Sequence, residues 1–277
     1  MRRWLGLSVM LLMGIAVVVK SERSKVDVAA SPNAVLYFVA DTERELTRMP
    51  MQLTRLPDAE EVRIGNQLAA GYAISSGPGV VQMQGYVQQV GAGLAAHARR
   101  KLPYRFHYVA DDNFVNAFAL PGGHVFIGKG LMALMDSEDQ LAAVLGHEIE
   151  HIDHYHCAER VQQEEILRKV PMGEMVEIPI EVFEAGYTKD QELEADREGA
   201  RLAVASGYSA SGAIRLFQKL QSMERQYQKH ADNPAEEASQ VAWQTVEGYF
   251  RSHPLPEERI AQLREMHLEI HQERKLQ

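Results

Sequence analysis

The sequence has almost no cysteine: Cys157 is alone among 277 residues. An intramolecular disulfide and a cysteine-rich zinc module are therefore both excluded. An excess of basic residues is also missing, because 29 lysines and arginines face 38 acidic residues and leave a formal net charge of -9. Most nucleic-acid-binding proteins carry a basic face, so we expect no nucleic-acid partner. The sequence also lacks solenoid-period repeats and low-complexity tracts, and its 45% hydrophobic content is that of an ordinary globular protein.

Long hydrophobic runs are missing except at the N-terminus, where Trp4 to Val19 follow Arg2 and Arg3. A positive n-region before a short apolar stretch is typical of a secretory signal peptide or a short signal-anchor. We therefore predict that residues 1–20 direct export to the bacterial periplasm, or hold the protein on the membrane facing it. If the segment is not cleaved, residues 4–19 provide the membrane contact.

The rest of the chain is predicted to contain a lead-in, residues 21–54, and one domain, residues 55–277. Apolar periodicity predicts three strands and a larger number of helices. The predicted strands are 104–109, 115–120 and 124–128; the predicted helices are 60–73, 80–102, a long helix from Ser137, 188–207, 211–230, 235–250 and 256–273. Ser137 with Gln140, and Thr188 with Gln191, have the spacing of capping boxes. The expected fold class is α+β, mostly helical, with a small β-sheet.

The segment from His147 to His151 has the pattern HExxH. Two histidines four residues apart on a helix share one face, so both rings can bind one metal ion. Glu148 lies beside that face and can accept a proton from a water molecule at the metal. The pattern predicts a catalytic zinc site, with one Zn²⁺ per chain.

A catalytic zinc ion needs a third protein ligand. The best candidate is Glu192, which lies four residues before Asp196 and therefore faces the same way on a later helix. Asp196 can accept a hydrogen bond from the far nitrogen of a zinc-bound histidine and so fix its tautomer. Glu194 is expected to point elsewhere and to be solvated.

His154 and His156 are assigned to the continuation of the HExxH helix. His154 lies seven residues after His147, about 10 Å along the helix axis, which is too far for a shared metal ion. It is therefore interpreted as solvated or as an outer neighbour of the ligands. Cys157 stands where a metzincin would have its third histidine and has the same reach problem, so it is interpreted as a small apolar core residue.

Four segments together resemble the zinc metallopeptidases of the CAAX prenyl protease and HtpX superfamily, nearest the exported bacterial type represented by BepA and LoiP. The segments are Asn116 to Gly123 with Gly130-Leu131, the HExxH motif with His156, Glu192-x-x-Ala195-Asp196, and His253-Pro254 with Arg259. The resemblance covers residues 55–265. It implies a gluzincin-like protease domain in which His147, His151 and Glu192 bind zinc, and in which His156 and Asp196 support the ligands.

The same resemblance draws attention to His253 and Arg259. Both follow the ligand helices, and either could stabilise the tetrahedral oxyanion formed during peptide hydrolysis. His253 has two further interpretations: it could occupy the open zinc position and keep the enzyme latent, or it could be an ordinary loop histidine.

The function expected from these motifs is a zinc endopeptidase that uses Glu148 to activate water and acts on misfolded or unfolded envelope proteins. Asn116 to Leu120 is predicted to lie at a sheet edge, where an extended substrate can add as a strand. The irregular segment 170–187 is expected either to cover the cleft or to be an ordinary packed loop. The alternative function is a latent or proteolytically silent chaperone or interaction protein of the envelope.

Overall fold

The computed structural model of the protein describes residues 55–72, 77–168, 183, 186–230, 249, 252–253 and 257–275. All of them belong to one compact unit of the chain, Arg48–Gln277. The predicted leader, 1–20, and lead-in, 21–54, lie outside the described residues, as do most of segment 170–187 and of the predicted helix 235–250. None of the helices in the described ranges is both long enough and apolar enough to cross a membrane.

Helices form most of this domain. The helices are α1 Asp58–Ala70, α2 Pro78–Ala95, α3 Lys129–Ala133, α4 Glu138–Asp153, α5 His156–Arg168, α6 Lys189–Ala205, α7 Ser211–His230 and α8 Glu257–Lys275. The strands are β1 Arg105–Val109, β2 Ala117–Leu120 and β3 His124–Gly128. The predicted fold class, a mostly helical α+β domain with a small sheet, is confirmed.

The sheet has the order β1-β3-β2, with β1 parallel and β2 antiparallel to β3. A 3₁₀ turn of Pro121, Gly122 and Gly123 joins β2 to β3, as the sequence predicts. Gly122 has φ +75°, a left-handed conformation that glycine adopts without strain. This hairpin places β2 at an edge of the sheet, beside α4.

Two glutamine side chains of α2 cover the other edge of the sheet, at β1. Gln84 Nε2 donates to the Phe106 carbonyl at 2.6 Å, and Gln84 Oε1 accepts from the Tyr108 amide at 2.8 Å. Gln88 Oε1 accepts from the Phe106 amide at 3.0 Å. The amide and carbonyl of Phe106 and the amide of Tyr108 are thus satisfied by side chains of the neighbouring helix.

Helix α4 lies at the centre of the domain and packs against α2, α6, α7 and β2. Every residue from Gln140 to Asp153 is buried. At its contact with α6, Gly146 faces Gly199: a Cβ on Gly199 would lie 2.7 Å from the His147 amide nitrogen. Because neither glycine has a side chain, the two backbones can come together at the position of the HExxH motif.

One predicted capping box forms and the other does not. The Thr188 hydroxyl accepts from the Gln191 amide while the Gln191 side chain accepts from the Thr188 amide, so the box that begins α6 is confirmed. The prediction of a box at Ser137 is wrong, because the Ser137 side chain makes no capping hydrogen bond. Gln140 Oε1 reaches back to the Asp136 amide instead, at 2.5 Å.

Two predicted helices end earlier than their apolar periodicity indicates. Helix α2 stops at Ala95, because the amides of Arg99 and Arg100 donate to the Asp153 carboxylate and not to helical carbonyls. Helix α4 stops at Asp153, and Tyr155 adopts φ +64° before α5 begins at His156. His154 and His156 therefore do not continue the HExxH helix.

Candidate metal centre

Four buried side chains bring one ligand atom each to a common point: His147, His151, Glu192 and His253. Their ligand atoms all lie within 4.8 Å of one another, so the group could hold a metal ion. His147 Nε2 and His151 Nε2 are 3.0 Å apart, as expected for neighbouring histidines on one helix face. Glu192 reaches the pair from α6. Its Oε2 lies 3.4 Å from His147 Nε2, and its Oε1 lies 3.6 Å from His151 Nε2.

The donor set fits a zinc ion. Two imidazoles and one carboxylate form a common ligand set of catalytic zinc, and all three are buried here. The buried carboxylate of Glu148 adds a second sign of fit: within the described residues, neither of its oxygens has a hydrogen-bond partner. A buried acid without a hydrogen-bond partner beside a metal-binding group is the arrangement required of a base that acts on water.

The far nitrogen of His147 is held by an acid on α6, as the sequence predicts. His147 Nδ1 lies 2.9 Å from Asp196 Oδ1. Arg259 of α8, which is completely buried, donates from Nε and Nη2 to Asp196 at 2.5 and 2.7 Å. Its Nη1 lies 2.8 Å from Glu192 Oε2. Arg259 therefore contacts Glu192 and the Asp196 that supports His147.

The far nitrogen of His151 has a different partner. His151 Nδ1 lies 2.9 Å from His156 Nδ1, and His156 Nε2 lies 3.2 Å from Glu194 Oε2. The ring of Tyr187 stacks on His151 with a centroid separation of 3.7 Å. Both Nδ1 and one face of this ring are therefore in contact with other side chains.

His253 lies among the other ligands with both ring nitrogens engaged. Its Nδ1 is 3.3 Å from His147 Nε2 and 3.2 Å from Glu192 Oε1. Its Nε2 is 3.3 Å from Glu148 Oε1 and 3.3 Å from the carbonyl oxygen of Ala117 in β2. One side chain thus occupies a ligand position, a place beside the candidate base and a hydrogen-bonding position on the sheet edge.

The segment that carries His253 is attached to β2. Ser252 Oγ donates to Asn116 Oδ1 at 2.9 Å, and Asn116 Oδ1 also accepts from the Ala117 amide. The motif residue Asn116 therefore connects the start of β2 to the residue next to His253.

Burial and neighbouring charges shift the pKa values at the centre in opposite directions. Burial raises the pKa of Glu148 and holds that of His151 well below its usual range. Burial would also raise the pKa of Glu192, but the charges of Arg259 and His253 outweigh it, so this pKa lies well below its usual value. At neutral pH, Glu192 is therefore an anion and His151 is neutral, which are the forms that bind a metal ion. His147 differs: burial lowers its pKa, but the hydrogen bonds and charges of Asp196 and Glu192 outweigh burial and raise it to about 10.

Glu194 is not the solvated residue that the sequence predicts. Its Oε2 faces His156 Nε2, and its Oε1 lies 3.1 Å from His154 Nδ1. His154 Nε2 lies 3.2 Å from Glu150 Oε2. The prediction failed because Glu194 meets these histidines only after the chain has turned at Tyr155, and helical periodicity does not report that turn.

Cys157 agrees with its sequence interpretation, because it is completely buried and lies outside the ligand group. Its Sγ is 3.3 Å from the Tyr187 hydroxyl and 3.6 Å from the Ala119 carbonyl oxygen of β2. Burial raises the pKa of this thiol to about 12, which makes it unreactive at neutral pH.

The sequence model of peptidase family M48 matches residues 81–267, which contain the whole of the ligand group. The chain belongs to this family. The resemblance inferred from the four sequence segments is therefore confirmed, and the M48 match spans Asp196 and His156.

Relatives of this M48 chain are named proteases. A protein of Vibrio cholerae is 30% identical over 203 residues, 65% of this chain and 38% of its own length. The beta-barrel assembly-enhancing protease of Escherichia coli (strain K12) is 28% identical over 202 residues, with the same coverage of 65% and 38%. The mitochondrial metalloendopeptidase OMA1 of Arabidopsis thaliana is 29% identical over 120 residues, 40% of this chain and 25% of its own. The M48 chain thus spans less than two fifths of the length of these bacterial relatives.

Proposed function

We propose that this chain is a zinc-dependent endopeptidase that hydrolyses peptide bonds in unfolded or misfolded proteins of the bacterial envelope. One observation carries the proposal: four ligand atoms converge beside Glu148, a buried carboxylate without a hydrogen-bond partner among the described residues. In the proposed centre, His147, His151 and Glu192 hold one Zn²⁺.

The chemistry follows from the positions of these side chains. A zinc ion bound there would act as a Lewis acid that acidifies water and polarises the peptide carbonyl. Glu148 accepts a proton from the attacking water while the oxygen of that water forms a new bond to the carbonyl carbon. Glu148 then gives the proton to the amine nitrogen as the peptide C–N bond breaks, so the carboxylate is regenerated.

His253 is proposed as a latch. Its Nδ1 lies with the ligand atoms and its Nε2 faces both Glu148 and the edge of β2, so it stands where water and substrate would have to enter. Moving this ring away would free the base and the Ala117 carbonyl together. Arg259 is proposed to position Glu192 and Asp196, because those two acids already engage its guanidinium.

Extended chains are the proposed substrates. β2 lies at a sheet edge beside the ligand helix, and a peptide added there would bind through main-chain hydrogen bonds with little sequence preference. The name of the Escherichia coli relative concerns beta-barrel assembly, which supports an envelope location for the substrates. The N-terminal apolar segment, residues 4–19, supports export and a contact with the membrane if it is retained.

The test is to purify the full chain, measure its bound metal and follow casein cleavage. We expect about one zinc per chain and cleavage that is lost with a chelator. Glu148→Gln should keep the zinc and lower the rate at least 100-fold, since it removes the base but no ligand. Glu198→Gln on α6 is the matched control and should cleave normally. A chain that folds without binding metal would contradict the proposal.

The latch has its own test, because each interpretation of His253 predicts a different rate for His253→Ala. A latch predicts faster cleavage, oxyanion stabilisation predicts a loss of 100-fold or more, and an ordinary loop residue predicts no change. We expect faster cleavage. Asn113→Ala, on an exposed loop, is the control and should leave the rate unchanged.

A second function, that of a proteolytically silent chaperone, is favoured by the position of His253 over the base. Prevention of aggregation by Glu148→Gln at the wild-type level, with no cleavage by either protein, would support it. Cleavage by the wild-type chain that is abolished in the variant would exclude it.

A further inference from the structure

A chain of hydrogen-bonding groups extends from His151 towards the protein surface. His151 points its Nε2 at the ligand group and its Nδ1 at His156 Nδ1, 2.9 Å away. His156 points its Nε2 at Glu194 Oε2, 3.2 Å away. Both histidines are buried, whereas the Glu194 side chain is 32% exposed. The chain therefore joins a buried candidate ligand to a carboxylate at the boundary with solvent.

The order of these groups determines which nitrogen carries each proton. A carboxylate only accepts hydrogen bonds, so Glu194 requires a proton on His156 Nε2. In its neutral form, the His156 ring then has a lone pair on Nδ1, which can accept only if His151 Nδ1 carries a proton. That proton leaves the lone pair of His151 on Nε2, the nitrogen that faces the other ligands.

We propose that His156 and Glu194 are positioning residues that fix the tautomer and the ring orientation of His151 for zinc binding. The inference rests on the proposed function, because it takes His151 to be a zinc ligand. It assigns a role to Glu194 and makes His156 the counterpart of Asp196. Asp196 acts directly on His147, whereas Glu194 acts on His151 through the imidazole of His156.

Neighbouring contacts restrict the movement of this chain. Glu194 Oε1 lies 3.1 Å from His154 Nδ1, so one carboxylate holds two histidines. Tyr187 stacks on the face of His151 with an interplanar angle of 15°. The guanidinium of Arg160 lies 4.2 Å from the Tyr187 ring centroid and donates to the Gly186 carbonyl oxygen. His151 is thus restrained through Nδ1 by the hydrogen-bond chain and at its face by an aromatic ring.

The experiment measures zinc affinity of the full chain by competition with a chelator, and the unfolding temperature of the metal-free protein. We expect His156→Phe, which keeps a ring but removes both nitrogens, to weaken zinc binding about 10- to 100-fold. Glu194→Ala should weaken it about tenfold. Glu194→Gln keeps an oxygen that can accept from His156 and should recover part of the affinity.

A double variant separates positioning from a general effect of charge. If both residues act through one chain, His156→Phe with Glu194→Ala should bind zinc no more weakly than His156→Phe alone. Glu198→Ala is the matched control, because it removes a negative charge from the next turn of α6, where Glu198 pairs with Arg197 and Arg201. It should leave the zinc affinity unchanged.

Several results would overturn the inference. Zinc affinities within twofold of wild type in both single variants would do so, as would effects that add in the double variant. A purely structural role would lower the unfolding temperature of the metal-free protein without changing zinc affinity, and that result also overturns the inference. If His156→Phe fails to fold, the two variants of the partly exposed Glu194 decide the question.

The same data distinguish this inference from the proposed function. Normal zinc binding by the wild-type chain with unaffected variants would overturn the positioning role alone. A folded wild-type chain that binds no zinc would overturn the ligand assignment, and the positioning role with it.

Discussion

The histidines at the centre make contacts through both of their ring nitrogens. His147 and His151 each present Nε2 to the ligand group and Nδ1 to a buried partner, and His253 places one nitrogen among the ligands and the other beside Glu148. HExxH spacing predicts the Nε2 cluster because it depends on one helical turn. The partners of Nδ1 differ in whether the sequence predicts them. The contact of Asp196 follows from its spacing to Glu192, whereas the contact of His156 depends on the turn at Tyr155.

His154 should make stability depend on pH. Hydrogen bonds to Glu150 and Glu194 raise its pKa from an ordinary value of 6.5 to about 9, against the effect of partial burial. A raised pKa means that the folded state favours the charged ring, so this stabilisation is complete below pH 6.5 and disappears as the pH rises through 9. We expect the free energy of unfolding to lose about 1–2 kcal/mol over that interval, after allowance for solvent screening.

The measurement is urea unfolding between pH 6 and 9.5 with a chelator present, so that metal binding does not contribute. His154→Gln should flatten the pH dependence by that amount. His97→Gln, at an exposed histidine, is the control and should follow the wild-type curve. Identical curves for wild type and His154→Gln would contradict the assignment of the ion pairs.

At the scale of elements, the approach of α4 to α6 determines whether the ligands meet. The HExxH histidines lie on one helix and Glu192 and Asp196 on the other, and Gly146 and Gly199 permit the close contact between them. Helix periodicity predicts both helices and the faces that carry the ligands. It does not predict this contact, because no local pattern reports which glycine of one helix faces which glycine of another.

Adding one carbon to that contact should disturb both packing and metal binding. A Cβ on Gly199 would lie 2.7 Å from the His147 amide nitrogen and 2.9 Å from the Gly146 carbonyl carbon, so the helices would have to separate. We expect Gly199→Ala to lower the free energy of unfolding by about 1–3 kcal/mol. Zinc affinity should fall as well, since Glu192 moves with α6.

Gly85→Ala is the control for this change, measured by urea unfolding and chelator competition. Gly85 is exposed in α2, and a Cβ there would meet nothing within 4 Å. Alanine at that position should stabilise the helix by roughly 0.5–1 kcal/mol and leave zinc binding unchanged. Equal effects of the two substitutions would show that the helix contact does not control the ligands.

For the whole molecule, ligands from separate parts of the chain should couple metal binding to folding. α4, α6 and the residue His253 supply the candidate ligands, so we expect the folded state to bind the ion far better than the unfolded chain does. We expect zinc at 100 times its dissociation constant to add about 2.7 kcal/mol to the free energy of unfolding. A thermal unfolding scan with zinc and with a chelator measures this difference.

Two variants show whether the stabilisation comes through the proposed ligands. Glu192→Gln should lose most of the rise in unfolding temperature on adding zinc, because it removes a charged ligand. Glu148→Gln should keep the rise, since Glu148 is proposed as the base. A zinc effect that persists in Glu192→Gln would point to a different ligand set.

The covered edge of the sheet limits how the molecule can associate with extended chains. Exposed strand edges invite the addition of further strands and so promote aggregation. The side chains of Gln84 and Gln88 bind the amide and carbonyl of Phe106 and the amide of Tyr108 on β1. An incoming chain could pair with β1 only after displacing both glutamine side chains, which protects this edge against the strand addition from which fibrils grow.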